Sequence, residues 1–171
     1  MAYEKLSHLG AKLFGEKAKD LEAAIQSVEQ ILPMSDSFRE LLLAFGGAIW
    51  FDNGARFRPQ SPNPQTDEDG YNSLDVLYGL GDGEDSIEQR IEQYDGELPE
   101  SFVAIGEAPG GNQICVGGDG VVYFWDHESL RNDQTWPIAG SVDEFIAMLE
   151  IDDEEPGDSD GVIESEAWLD F

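Results

Sequence analysis

A stretch near the middle of the chain constrains the fold most, because residues 98–128 predict three consecutive β-strands. Its sequence is LPESFVAIGEAPGGNQICVGGDGVVYFWDHE. Apolar residues alternate with other residues there, as a half-buried strand requires: Val103, Ile105, Ile114, Val116, Val121, Tyr123 and Trp125. Two glycine-rich turns, at 109–112 and 117–120, offer residues that tolerate positive φ at the two reversals. The segment therefore gives a fold signal, and it contains no obvious catalytic set.

Helix signals occupy most of the N-terminal half, and one more follows the three strands. Apolar spacings of three and four residues and N-cap residues define them. The predicted helices are 3–18, 21–32 after Asp20, a third from Ser35 or Asp36 to Gly46, a fourth from Asp85 or Ser86 to Tyr94, and 142–149 with Ser141 and Glu144 as a capping box.

Two further strands, at 48–51 and 74–80, complete the predicted sheet. Residues 53–70 contain three prolines and an acidic turn and are predicted to be a loop, and 129–140 is predicted to be irregular. We therefore expect one α+β domain over residues 1–150, with one mainly antiparallel sheet flanked by helices. Residues 1–19 would add an extra N-terminal helix, and 151–171 would be an acidic tail with an apolar end.

The order of these motifs resembles that of the SUKH superfamily over roughly residues 21–150. In IQSVEQILPMSDSFRELLLAFGG a helix leads into Leu-Pro, and a second helix ends at a glycine pair. The segments FVAIGEAPGGNQICV and VVYFWDHE follow in the expected order, and Phe145 occupies the apolar position of the last helix. The superfamily contains mostly bacterial immunity proteins that neutralise polymorphic toxins, together with fungal regulators of cell-wall synthesis. The resemblance implies a non-enzymatic protein that binds a cognate toxin; the alternative is a regulatory or scaffold module with several partners.

The charge of the chain favours a basic partner. Nine basic residues against 37 acidic ones give a formal net charge of −28. This field opposes binding to nucleic acid or to an anionic membrane, and it would steer a basic toxin such as a nuclease toward the protein. An acidic composition is also common for reasons unrelated to any partner. The residues predicted to contact the partner are Asp67, Glu68 and Asp69 in the long loop, Asp82, Glu84 and Asp85 in the next turn, and Trp136.

Catalytic and metal sites are poorly supported by the sequence. Asp126, His127 and Glu128 follow a strand and would suit an acid/base pair or a metal, but a polar turn explains them more simply. The chain has only two histidines, which argues against a zinc site. The single cysteine, Cys115, lacks a neighbouring base and is predicted to be a buried thiol. We therefore expect no enzyme activity, metal or cofactor, and we expect Trp50 and Trp125 to lie in the core.

The remaining expectations concern location and the tail. The sequence shows no apolar run long enough to span a bilayer and no signal-peptide pattern, and with one cysteine a cytoplasmic setting is expected. Residues 162–171, VIESEAWLDF, are too apolar for a purely solvating tail. They are predicted to dock on the lysine-bearing N-terminal helix, either of this subunit or of a second copy in a homodimer.

Overall fold

One curled antiparallel sheet organises the protein. The computed structural model describes residues 2–32, 34–81, 83, 85–98, 101–127 and 135–152. Within them the strands are β1 (Ala11–Phe14), β2 (Ala48–Phe57), β3 (Asn72–Leu77), β4 (Val103–Glu107), β5 (Gln113–Val116), β6 (Val122–Trp125), β7 (Thr135–Ala139) and β8 (Glu150–Ile151). They pair in chain order from β1 to β7, and β8 pairs with β2. All of these pairings are antiparallel, which confirms the predicted α+β class.

Five helices accompany the sheet in the described part of the chain: α1 (Ala2–His8), α2 (Leu21–Glu29), α3 (Asp36–Phe45), α4 (Ile87–Gln93) and α5 (Val142–Met148). The last four begin where side chains cap free backbone N–H groups. Asp20, Ser35, Ser86 and Ser141 each accept a hydrogen bond from the N–H three residues on. Gly46 ends α3 in the left-handed conformation, with φ 74°. The capping residues were therefore predictable from sequence.

The central three strands form as predicted. Ile114 of β5 lies opposite Phe124 of β6, and Val103 of β4 lies opposite Val116 of β5. The second turn is further fixed by Asp119, whose carboxylate accepts hydrogen bonds from the N–H of Val121 (3.1 Å) and the hydroxyl of Tyr123 (2.9 Å). These bonds lower the pKa of Asp119 below its ordinary value.

The prediction of one helix over residues 3–18 is wrong. A short helix, α1, ends at His8, and Gly10 then adopts a φ of 87° that redirects the chain. Residues 11–14 become β1, in which Lys12 and Phe14 are exposed while Ala11 and Leu13 are half-buried. The apolar residues whose spacing predicted a longer helix belong to two different elements. Leu6 is buried in α1, and the later ones lie in β1, where exposure alternates.

Three loop predictions also need correction. Strand β2 continues to Phe57, so the long loop begins five residues later than expected, and β7 occupies part of the segment predicted to be irregular. Ile151, placed in the tail by sequence, pairs with Ala55 in β8. Pairing with a neighbouring strand supplies the order that local sequence did not indicate. The predicted acidic tether and apolar end, residues 153–171, lie outside the described residues.

The main core lies on one face of the sheet. Four buried residues share this face: Ile49, Leu77, Ile114 and Phe124. Ile49 is the register partner of Leu77, and Ile114 is that of Phe124. Gly106 joins the two pairs, because it lies opposite both Leu77 and Ile114. Side chains of α3 lie against Ile49 and Leu77. On α5 the fully buried Phe145 meets the ring of Phe57 edge-on at 5.2 Å. The opposite face of the sheet carries Lys12, Trp50 and Val76.

Candidate partner-binding surface

A row of register partners crosses the opposite face of the sheet and changes from exposed to buried along its length. The row runs through Lys12, Trp50, Val76, Glu107, Gln113 and Trp125. Residues directly opposite each other in antiparallel strands share a face. Lys12 and Trp50 are exposed, Val76 and Glu107 are half-buried, and Gln113 and Trp125 are buried. Arg90 and Tyr94, in and just after helix α4, contact the β4–β6 end of this face. Among the described elements, none covers the side chains of Phe14 and Trp50 at the β1–β2 end.

The uncovered end presents two large aromatic side chains, which we call the Phe14–Trp50 face. Phe14 is 47% exposed and Trp50 is 40% exposed. Lys12 lies beside them and forms an ion pair with Asp52 at 2.6 Å. The prediction that Trp50 belongs to the core is wrong, whereas Trp125 is buried as expected. The alternation in Ala11–Phe14 carried the signal for this face, but assigning those residues to a helix concealed it.

A cleft of about 460 Å³ adjoins Phe14 at the end of β1. Its lining includes Lys17 and Lys19 on one side and Asp85 with Ser86 on the other. The cleft therefore mixes both signs of charge. Asp82 and Glu84, which the sequence placed in the same acidic turn as Asp85, lie outside the described residues.

Asp85 is already engaged by an arginine. Arg90 of α4 donates to Asp85 at 2.8 Å and to Glu107 of β4 at 3.2 Å, and its guanidinium lies 4.7 Å from the ring centre of Tyr78. Burial lowers the pKa of Arg90, but hydrogen bonding to Asp85 and the neighbouring charges outweigh it and leave the pKa raised. Glu107 therefore ties α4 to the sheet through Arg90, and Asp85 shares the charge of the same arginine.

A buried amide lies beneath α4. Gln113 has no exposed surface, and its side chain accepts from the Tyr78 hydroxyl at 2.6 Å. It donates to the Tyr94 hydroxyl at 3.2 Å and to the Gly111 carbonyl at 2.9 Å. Burial raises the pKa of Tyr78 far above its usual range, so its hydroxyl stays neutral and donates. This network joins α4 to β3 and β5, and its role is structural.

The acidic loop at 67–69 is well defined and exposed. The carboxylate of Asp67 accepts from the N–H groups of Asp69 and Tyr71, each at 2.9 Å, so Asp67 shapes the turn. Arg56 and Arg58 lie over the Tyr71 ring at 4.0 and 4.5 Å. The loop thus presents carboxylates next to two arginines, and its local charge is less negative than the sequence suggests.

The predicted contact residues that the structure describes lie on different elements. Residues 67–69 precede β3 and Asp85 follows it, and at about 3.3 Å per residue this six-residue strand separates them by about 17 Å. Trp136 is half-buried against Phe124, with 6.1 Å between ring centres. The start of the long loop does reach its strand, because Gln60 donates to the Ile138 carbonyl at 3.0 Å. Trp136 therefore lies near the start of the long loop, and the acidic turn at 67–69 follows later in the same loop.

The candidate catalytic residues at 126–128 follow the end of β6, and His127 contacts the neighbouring turn and two aromatic rings. His127 is exposed, its N–H donates to the Asn112 side chain at 2.9 Å, and its ring meets Tyr94 and Trp125 edge-on. Glu128 lies outside the described residues. Cys115 is fully buried, and burial raises the pKa of its thiol.

The described residues show neither a metal-binding cluster nor a membrane-spanning helix. In that part of the chain, no three His, Cys, Asp or Glu side chains come together in a way that would hold a metal ion. None of the helices seen there has the length and apolarity to cross a membrane.

Comparison with known proteins agrees with the order of elements. The model of the SMI1 / KNR4 family (SUKH-1) matches residues 21–148, from the start of α2 to the end of α5. The chain belongs to this family. A relative in Bacillus subtilis (strain 168), described as an SPbeta prophage-derived uncharacterized protein YokK, is 27% identical over 145 residues, covering 78% of this chain and 73% of the relative. The family match spans the sheet from β2 to β7, whereas α1 and β1 precede it.

Proposed function

We propose that this SUKH-1 protein is an immunity protein that binds a cognate bacterial toxin and neutralises it by occupying its surface. Membership of the family is the observation that carries the proposal. The net charge of −28 supports a partner with a basic surface, as a nuclease has. The expected setting is the cytoplasm, where an immunity protein meets a toxin that has entered the cell.

The acidic loop is the proposed point of first contact. Asp67, Glu68 and Asp69 are all exposed, and the backbone hydrogen bonds to Asp67 hold the turn in one shape. A preformed loop loses less conformational entropy on binding than a mobile one. Exposed charges at the rim of an interface act mainly on the association rate, and salt screens them.

The test first identifies a toxin gene beside this gene in the genome and then compares two neutralised triplets in binding to the toxin domain it encodes. In the first variant Asp67→Asn, Glu68→Gln and Asp69→Asn remove three charges, and asparagine at 67 keeps an acceptor for the turn. The matched control is Glu92→Gln, Asp95→Asn and Glu97→Gln, which removes the same charge from exposed positions in the last turn of α4 and just after it. We expect the loop variant to associate several-fold more slowly at low salt, with little change in dissociation rate.

Equal slowing of both variants would show that only net charge matters and would remove the loop from the interface. An association rate independent of salt would remove steering altogether. If the chain binds the neighbouring toxin domain but leaves its toxicity unchanged, the immunity proposal fails. Binding to several unrelated proteins, with none to that toxin, would favour a regulatory or scaffold module.

We also propose that neutralisation requires no chemistry by this chain. His127 is exposed, its backbone N–H donates to the Asn112 side chain, and its ring meets two aromatic rings edge-on, which supports a role in the turn. Stoichiometric protection is then expected, so that toxin in excess of the immunity protein stays active. Protection by a small fraction of one equivalent would point to turnover instead.

A further inference from the structure

The Phe14–Trp50 face is an exposed apolar feature of the sheet in the described part of the chain. Three large apolar side chains are exposed in the described part of the chain, and two of them, Phe14 and Trp50, lie on this face. Both project on the same side as Lys12, the register partner of Trp50. Paired exposed aromatics on one sheet face are typical of a surface that another segment covers.

Strand β8 ends close to β1, the strand that carries Phe14. Strands β8 and β1 occupy the same edge of β2, because β3 takes the other edge. Asp152 donates its N–H to the Gly54 carbonyl at 3.2 Å, and Asp52 donates to the Gly10 carbonyl at 3.1 Å. The edge beyond Asp152 is thus already taken by the start of β1. Strand β8 therefore ends at the edge of β2, with its C-terminal end directed toward the Lys12–Asp52 ion pair.

Sequence after Asp152 matches the face in apolar character and in charge. Residues 153–171 contain eight acidic residues and no basic ones, and their last ten residues include five large apolar side chains. Lys12, Lys17 and Lys19 flank the Phe14–Trp50 face. A path of about 13 Å along β2 separates Gly54 from Trp50, and 19 residues can extend about 60 Å. The segment is therefore long enough to reach this face, and its negative charge is complementary to the three lysines.

From these observations we propose that residues 162–171 dock within the same molecule on the Phe14–Trp50 face. Trp168, Leu169 and Phe171 would cover the two aromatic rings, and Glu164 and Glu166 would face the lysines. A tethered segment has an effective concentration in the millimolar range, so it outcompetes a second copy at ordinary protein concentrations. The proposal does not depend on toxin binding.

The test is hydroxyl-radical footprinting of the full chain, read by mass spectrometry at each tryptophan separately. In the first variant Trp168→Ser, Leu169→Ser and Phe171→Ser remove the docking side chains. The oxidation rate of Trp50 should then rise several-fold and that of Phe14 should rise with it. Trp125 is 4% exposed and should keep its rate, which shows that the fold is intact.

A second variant tests the receiving surface. Trp50→Ser should raise the oxidation rate of Trp168 several-fold, whereas Ile31→Ser, which removes a side chain of similar exposure elsewhere, should not. A Trp50 rate that is unchanged in the triple variant would overturn the proposal. So would protection of Trp50 that disappears on dilution, because it would assign the face to a second copy.

Discussion

Replacing Gln113 with leucine should destabilise the protein far more than its single polar side chain suggests. Leucine is apolar, so it leaves the Gly111 carbonyl without its donor and Tyr78 without its acceptor at 2.6 Å. The Tyr94 hydroxyl loses the Gln113 amide but keeps its hydrogen bond with Arg90. The Tyr78 hydroxyl keeps only a long contact of 3.4 Å with Glu107. Each polar group stranded in this way costs about 1–3 kcal/mol, so we expect a loss of about 2–5 kcal/mol in the free energy of unfolding. That is a large part of the ~5–15 kcal/mol typical of a domain.

Urea denaturation followed by circular dichroism measures this loss, and a double-mutant cycle isolates its cause. Tyr78→Phe alone should cost about 1–2 kcal/mol, because it strands the Gln113 carbonyl oxygen. The double variant should cost less than the two single costs added together, by about 1 kcal/mol, since both partners are then gone. Gln89→Leu, on the exposed side of α4, should stay within about 0.5 kcal/mol of the wild type. Additive single costs would refute the hydrogen bond between the two side chains.

Three further outcomes are expected. His127→Ala should leave protection against the toxin within a few-fold of the wild type in a co-expression growth assay; lost protection with intact binding would indicate chemistry. Gly79→Ala should prevent normal folding, since a Cβ there would lie 2.0 Å from the Gly47 carbonyl carbon, whereas Gly83→Ala meets nothing within 4 Å and should melt like the wild type. The folded-state pKa of Asp119 is depressed, so its stabilisation is present above the ordinary value of 3.8 and is lost as pH falls below it. When the pH is lowered from above 3.8 to below it, Asp119→Ala should therefore lose less stability than the wild type. Urea titrations of both proteins above and below that pH measure this, and equal losses of unfolding free energy would contradict it.

Most of the fold was predictable because local signals and tertiary packing agree there. The caps Asp20, Ser35 and Ser141 and the alternation in β4 to β6 each indicate the element that forms. The failures occur where pairing with a distant strand decides the structure. Residues 135–139 contain Pro137 and give no clear alternation, yet they form β7 because β6 offers an edge. Ile151 forms part of β8 for the same reason, with β2 as its partner.

The candidate surface was less predictable because exposure depends on which elements cover a face. Trp50 and Gln113 occupy the same row of the sheet, yet the tryptophan is exposed and the glutamine is buried. The difference comes from α4, which covers β4 and β5 and does not extend over β1. Residue type alone predicts the reverse, since tryptophan favours burial and glutamine favours water. An exposed aromatic residue in the same row as a buried amide therefore marks where no described helix covers the sheet, and β1 and β2 are the strands on which a further segment could dock.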